Sequence, residues 1–283
     1  MKNKEINIVG AGLAGSEAAY QLLKNGYTVN LYDGKANRKN DIQKTDAFAE
    51  LVCSNTFRSV STRNAVGILK KEMEFLGSII MKTAFENRVP ADDALAVDRD
   101  LFSKAVTNKL MSFENLNFIK EDISKIDFKI PTIIATGPLT TGTLADEIAS
   151  KFSKDNFYFL DASSPIVEKS SLDLDKFYFA SRHSDDSSYL CYPLNENEFE
   201  EFYQNLIAAE TAELHDIDKE IYFKGCQPIE VMAKESRKIL LSGPMSPNNL
   251  EYNGEKPYAV IQMRQDDVND QFYNIVGFQT NMK

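Results

Sequence analysis

Three glycines and one acid at fixed spacing are the first residues able to do chemistry. Gly10, Gly12 and Gly15 form a Gly-x-Gly-x-x-Gly pattern with Ala11, Leu13 and Ala14 between them, directly after the apolar run Ile6–Val9. In such a setting the first glycine permits a tight turn and the second lets backbone approach a pyrophosphate. The third lets the new helix pack close to its strand. The helix N-terminus then turns N–H groups and a positive dipole end toward phosphates. Ala18, Ala19, Leu22 and Leu23 continue one helical face, Asn25-Gly26 ends the helix, and Tyr27–Tyr32 reads as a second strand ending at Asp33. An acid at that point accepts hydrogen bonds from a ribose hydroxyl. Strand, glycines, helix, strand and acid together predict an adenine-dinucleotide site.

Thiols are the second source of chemistry. Cys53, Cys191 and Cys226 are odd in number and widely spaced, with no CxxC pair, which suits neither a disulfide framework nor a zinc site. Cys53 stands before Ser54, Asn55 and Arg58, and Cys226 follows Lys224 and Gly225. Ser54, Asn55 and Arg58 would all need partners if buried, so this is a poor core segment. A nearby Arg58 or Lys224 would lower a thiol pKa. Cys191, followed by Tyr192 and Pro193, is expected to be structural. The only histidines are His183 and His215, which leaves little support for a metal centre or a Ser-His-Asp triad.

The elements that must position these groups are legible from periodicity. Val66, Leu69, Met73, Leu76 and Ile80 keep helical spacing over 64–81, with Lys70 and Lys71 on the outer side. Ala94–Val97 reads as a strand and 101–110 as a helix with Phe102, Val106 and Leu110 facing inward. Ile130–Gly137 is a buried strand ending in Ala135-Thr136-Gly137. Beyond about 155, aromatic strands (157–160, 177–180, 189–194) and an acidic helix over 198–213 mark a change of character. The expected architecture is α/β: a doubly wound, mostly parallel sheet over 1–155 and a second α+β domain over 156–283.

Composition sets outer limits. With 43% apolar residues in 283 the chain has ample core, and no apolar run approaches the roughly 18 residues of a membrane span. The cysteine usage and the absence of a signal-like N-terminus predict a reduced, cytoplasmic protein. A net charge of −10 opposes bulk attraction to nucleic acid, although a few well-placed cations suffice for phosphate contact. The Lys35/Arg38/Lys39 and Lys234/Arg237/Lys238 clusters are read first as solvated faces.

The motifs together resemble one family, the folate- and FAD-dependent RNA uridine-5-methyltransferases known as TrmFO, relatives of the GidA/MnmG flavoproteins. The resemblance covers the whole chain. It is carried by Gly10–Ala19, by Thr45-Asp46-Ala47-Phe48-Ala49-Glu50-Leu51-Val52-Cys53-Ser54-Asn55, by Asn64–Gly67, Ala94–Asp100 and Ala135–Thr140. In the second half its carriers are Gly225-Cys226-Gln227-Pro228-Ile229-Glu230, Gly243-Pro244-Met245 and Val276–Thr280. It implies an FAD-binding Rossmann-like domain with an inserted α+β domain, and members that continue past residue 283 to complete the nucleotide sheet. It also implies methylation of uridine C5 in RNA, at uridine 54 of the tRNA T-loop or at a 23S rRNA uridine. The carbon would come from 5,10-methylenetetrahydrofolate through FAD, with NADPH or NADH as reductant. A relative that binds RNA or another partner without turnover is the alternative of a different class. By resemblance Cys226 matches the nucleophile and Cys53 its partner thiol. Gly10, Ala11, Gly12, Leu13, Ala14, Gly15, Asp33, Arg99, Thr136 and Gly137 are then expected around the cofactor.

Overall fold

The structure, a computed structural model, describes residues 4–35, 43–126, 129–137, 140, 142–152, 164–182, 186–211 and 227–282. In chain order the elements are β1 (Glu5–Val9), α1 (Leu13–Lys24), β2 (Thr28–Tyr32), β3 (Thr56–Ser59), α2 (Ala65–Phe75), α3 (Ile79–Glu86), β4 (Arg88–Val89), β5 (Ala94–Val97), α4 (Arg99–Met111) and β6 (Leu116–Ile119). They continue with β7 (Thr132–Ile134), α5 (Gly142–Phe152), β8 (Ile166–Glu168), β9 (Tyr178–Ala180), β10 (Tyr189–Leu194), α6 (Glu196–Ala208), α7 (Ile229–Glu235), α8 (Arg237–Ser242), β11 (Ala259–Gln265) and β12 (Phe272–Ile275). Two compact units result. One takes residues 1–52, 69–87 and 99–159, the other 53–68, 88–98 and 160–283. Residues 53–68 and 88–98, which precede the expected change of character near 155, therefore pack with the second unit.

The first unit is built on a parallel sheet in the order β6-β2-β1-β7, with Ile8 beside Leu31 and Ile133. Helices cover both faces, as a parallel sheet requires. Val9 packs with Leu144 and Ile148 of α5, and α1, α3 and α4 pack on one another. The inward positions expected of α4, Phe102, Val106 and Leu110, are fully buried.

The stretch 64–81 departs from the single helix expected. Gly77 takes φ +75°, and Ser78 starts α3 by accepting from the Met81 amide (3.1 Å). The phase of α2 also differs. A Cβ on Gly67 would lie 1.9 Å from the Ser61 carbonyl oxygen, so the helix is seated on that glycine. Lys70, one turn on, is buried, while Leu69 and Leu76 are exposed. Hydropathy alone put these positions on the wrong sides because the close approach at Gly67 decides which stripe faces in.

The second unit holds an antiparallel sheet, β8-β12-β11-β10-β9, and a three-stranded one, β3-β5-β4. Helices α6, α7 and α8 close a core of Phe199, Leu206, Ile229, Leu240 and Met245. Asn195 and Glu198 form a capping box at the start of α6, satisfying two orphan amides. Glu230 is buried at the start of α7, where its carboxylate accepts from the Thr280 hydroxyl (2.9 Å) and the Asn281 amide (2.8 Å).

The turn before β12 carries a pH-dependent tie. Lys169 pairs with Asp270, whose other oxygen accepts from the Tyr273 hydroxyl. Burial pushes the Asp270 carboxyl up, but the bonds from Lys169 and Tyr273 and the Lys169 charge outweigh it and hold it below its ordinary value. A depressed folded-state value gives stability that is present above the unfolded value, about 4, and is lost as pH falls through the folded one. Asp270→Asn is therefore expected to flatten the acid limb of thermal stability below about pH 4. Melting curves from pH 2.5 to 6 that keep the parent's shape in the variant would refute this.

Candidate active site

A cavity of about 500 Å³ opens in the first unit at the carboxyl ends of β1, β2 and β7, where open α/β sheets bind ligands. Gly10, at φ +100°, makes the turn out of β1, and a Cβ there would lie 2.5 Å from the Ala135 carbonyl oxygen. A Cβ on Gly15 would sit 1.8 Å from the Gly10 carbonyl oxygen, so α1 leans directly on the strand end. Gly12 is different: a Cβ there would meet no atom of the described residues within 4 Å, yet it borders the cavity. Gly12 caps α1 without any side-chain cap. Among the described residues the space over this helix start is open, and the helix end suits an anion.

The acidic residues of the lining have the opposite character. Asp33 ends β2, its two oxygens accepting from the Ala11 amide (2.8 Å) and the Lys35 amide (2.9 Å). A carboxylate has about four acceptor positions, so each oxygen can still take a hydroxyl. Gly34 lets Asp122 close in, since a Cβ there would lie 2.2 Å from Asp122 Oδ1. Asp33, Glu50, Glu121 and Asp122 all belong to the lining. Such a wall favours hydroxyl donors and repels phosphate. Beside β7, Thr140 Oγ1 lies 2.6 Å from Thr136 Oγ1 and 2.7 Å from the Gly137 oxygen, tying the turn at Gly137 (φ +68°).

Of the residues expected around a cofactor, Gly10, Gly12, Leu13, Ala14, Asp33, Thr136 and Gly137 line the cavity. Ala11, Gly15 and Arg99 stand outside the lining. Ala11 orients Asp33, Gly15 seats α1, and Arg99 donates to the Leu51 carbonyl (2.8 Å), beside Val52 of the lining. Glu121, Asp122 and Thr140 are lining residues that pattern reading passed over. Lys35 is not a solvated cation. It is buried, donates to the Ala47 carbonyl and pairs with Glu50 at 3.2 Å. Glu50 also accepts from the Lys44 and Thr45 amides, so Lys35 anchors the loop that carries Glu50 to the cavity. Arg237 pairs with Glu200 (2.9 Å) and lies over the Tyr203 ring, whereas Lys234 and Lys238 are exposed.

The thiols divide clearly. Cys191 is fully buried on β10, with Gln262 Nε2 at 3.6 Å from its sulfur, and burial pushes its pKa up. Cys53 is half-buried in the second unit. The polar residues after it find their partners inside that unit. Asn55 is fully buried, donates to the Val97 and Gln265 carbonyls (both 3.0 Å), and accepts from Arg264 Nε (2.9 Å). Arg264 Nη2 reaches Ser54 Oγ at 2.8 Å. Arg58 is exposed at a bulge in β3, at φ +68°. Cys226, Lys224, Arg38, Lys39, His183 and His215 lie outside the described residues.

The family model described as glucose inhibited division protein A matches residues 5–283. The chain belongs to that family. Its fold agrees with that of GidA from Aquifex aeolicus, at a TM-score of 0.64 with 14% identity over 98% of this chain and 52% of that one. Within the reach of the GidA family model, the chain is 56% identical over 283 residues to the methylenetetrahydrofolate--tRNA-(uracil-5-)-methyltransferase TrmFO 1 of Mesoplasma florum. It is 50% identical over 286 residues to the TrmFO of Bacillus subtilis. These alignments cover 99% and 100% of this chain but 64% and 66% of the relatives, so the GidA-family chain spans slightly less than two thirds of their length. No described helix is long and apolar enough to cross a membrane.

Proposed function

We propose that the chain carries out, as part of a TrmFO-type enzyme, the FAD- and 5,10-methylenetetrahydrofolate-dependent methylation of uridine C5 in the tRNA T-loop. The observation that carries this reading is the 50–56% identity, along nearly the whole chain, to proteins named for that reaction. The cavity supports the cofactor part. Its clear helix start at Gly12–Ala14 suits the diphosphate of FAD, and Asp33 suits the adenosine ribose.

Bound FAD would supply the route by which a folate-derived carbon and an electron pair reach the base, and NADPH or NADH would restore its reduced form. The chain's own task is to make C5 of uracil nucleophilic. A thiolate adds to C6 with its own electron pair, the C5=C6 π pair shifts toward C5 and the O4 carbonyl, and C5 can then take the incoming carbon. A base removes the C5 proton as the bond between the new carbon and its carrier breaks, and addition to that carbon of a hydride, which bound reduced FAD would supply, expels the thiolate from C6 and restores the ring. Cys226 is assigned the addition and Cys53 the proton transfer. Lys234 and Lys238 are exposed cations near α7 and α8 that suit phosphate contacts.

The first test is the visible spectrum of the purified chain, before and after incubation with FAD. Flavin bands that survive gel filtration are expected, followed by tritium release from C5-labelled tRNA transcripts when folate and a reductant are added. A colourless chain that takes up no FAD would sink the reading for this chain. Release from a 23S rRNA transcript and none from tRNA would move the substrate while keeping the chemistry.

A further inference from the structure

We propose that Arg264 is the positioning residue for Cys53: from β11 it fixes the two residues that follow the thiol and places a buried positive charge beside them. The inference deepens the proposed role of Cys53 and rests on it for its functional meaning, while its geometry stands alone. Arg264 is only 4% exposed. Its Nε and Nη2 donate to Asn55 Oδ1 and Ser54 Oγ at 2.9 and 2.8 Å, so two arms of one planar guanidinium grip consecutive residues. The grip is itself braced. The Asn55 amide group is held by the carbonyls of Val97 on β5 and Gln265 on β11, and the Val97 amide returns to the Asn55 carbonyl at 2.9 Å. Residues 54–55 are thus pinned to two sheets of the same unit, which leaves the Cys53 backbone little freedom.

A burial this deep is costly for a cation unless its neighbours use it. Truncating Arg264 would take this donor from the buried Asn55 Oδ1. What a guanidinium alone supplies is a fixed fork and a field that favours a nearby thiolate. Among the described residues, the titratable and charged groups on the elements around it include Arg58 on β3, Arg88 on β4, Asp98 directly after β5, Tyr189 opposite it on β10, Tyr273 on β12 and Asp266 directly after β11. Asp98 accepts from the Val268 amide at 3.0 Å, and Tyr189 donates to the Ala91 carbonyl at 3.2 Å. Arg58 is exposed and open to solvent screening, whereas Arg264 is buried and bonds to residues 54 and 55.

The test is the rate of iodoacetamide alkylation at Cys53 from pH 6 to 9.5, followed by peptide mass spectrometry in the parent chain, Arg264→Gln and Arg264→Lys. Cys191, in the strand paired with β11, reports whether the unit has opened. Arg264→Gln is expected to slow Cys53 alkylation about tenfold at pH 7 and to move its midpoint up by about one pH unit. Arg264→Lys, which keeps the charge without the fork, should recover only part of the rate, and Cys191 should stay protected in both. An unchanged or faster rate at Cys53 in Arg264→Gln overturns the proposal, as does alkylation of Cys191 together with Cys53, which marks a role in folding alone. If Cys53→Ser keeps methyl transfer while Arg264→Gln still slows alkylation, the catalytic reading of Cys53 fails and the positioning role stands.

Discussion

Cys53→Ser is expected to lower methyl transfer to tRNA by roughly 100- to 10,000-fold, the range of a lost general acid–base group, while leaving FAD binding intact. Serine keeps the size and polarity of the side chain, but its hydroxyl is a far weaker base than a thiolate. Cys226→Ser should stop the reaction earlier, because no group then adds to C6. The two variants separate on RNA bearing 5-fluorouridine, whose C5 fluorine cannot leave as a proton. Cys53→Ser should still trap a covalent protein–RNA species resolved on a denaturing gel, and Cys226→Ser should not. Trapping by both variants, or by neither, would exclude this division of labour. The fold effect of Cys53→Ser should be small, since Cys53 is half-buried and outside the hydrophobic clusters.

Gly15→Ala is expected to abolish retention of FAD, whereas Gly12→Ala should weaken it without disturbing the fold. The added Cβ at Gly15 would sit 1.8 Å from a backbone oxygen of Gly10. Only a shift of α1 away from β1 relieves that overlap, at a cost of about 3 kcal/mol or more, roughly a hundredfold in dissociation constant if it all appears in binding. At Gly12 the same methyl meets no atom of the described residues within 4 Å. Its φ of −67° suits alanine, so stability should change by no more than about 0.5 kcal/mol. Any loss of FAD affinity in Gly12→Ala then measures how closely the diphosphate approaches the backbone. Flavin fluorescence titration with thermal melts on both variants checks this. Equal affinity for FAD in Gly12→Ala and parent would mean that the space over Gly12 is not where the dinucleotide lies.

The contrast between these two glycines shows what can be read from a sequence. Spacing announced both, because a βα turn is built from neighbouring residues and its demands are local. Asp33 was legible for the same reason: strand length carries it from the turn to the cavity. The helix α4 and its three inward residues followed from periodicity, which holds wherever one face meets a core.

What only tertiary structure decided are the contacts made by residues far apart in the chain. Lys35 looked like a surface cation until Glu50 was found against it. Leu69 and Lys70 exchanged sides because Gly67 seats α2 on the Ser61 carbonyl, a backbone approach that hydropathy does not encode. Arg264 carried no motif of its own. It lies 210 residues from Ser54, and only the folded second unit brings its guanidinium to the residues after Cys53. The sequence by itself determined the glycine turn after β1 and the parallel sheet, because local geometry and periodicity specify them, and it named the thiols proposed to react. The partners that tune and hold those groups came from folding, since burial, charge pairing and close packing exist only once distant segments meet.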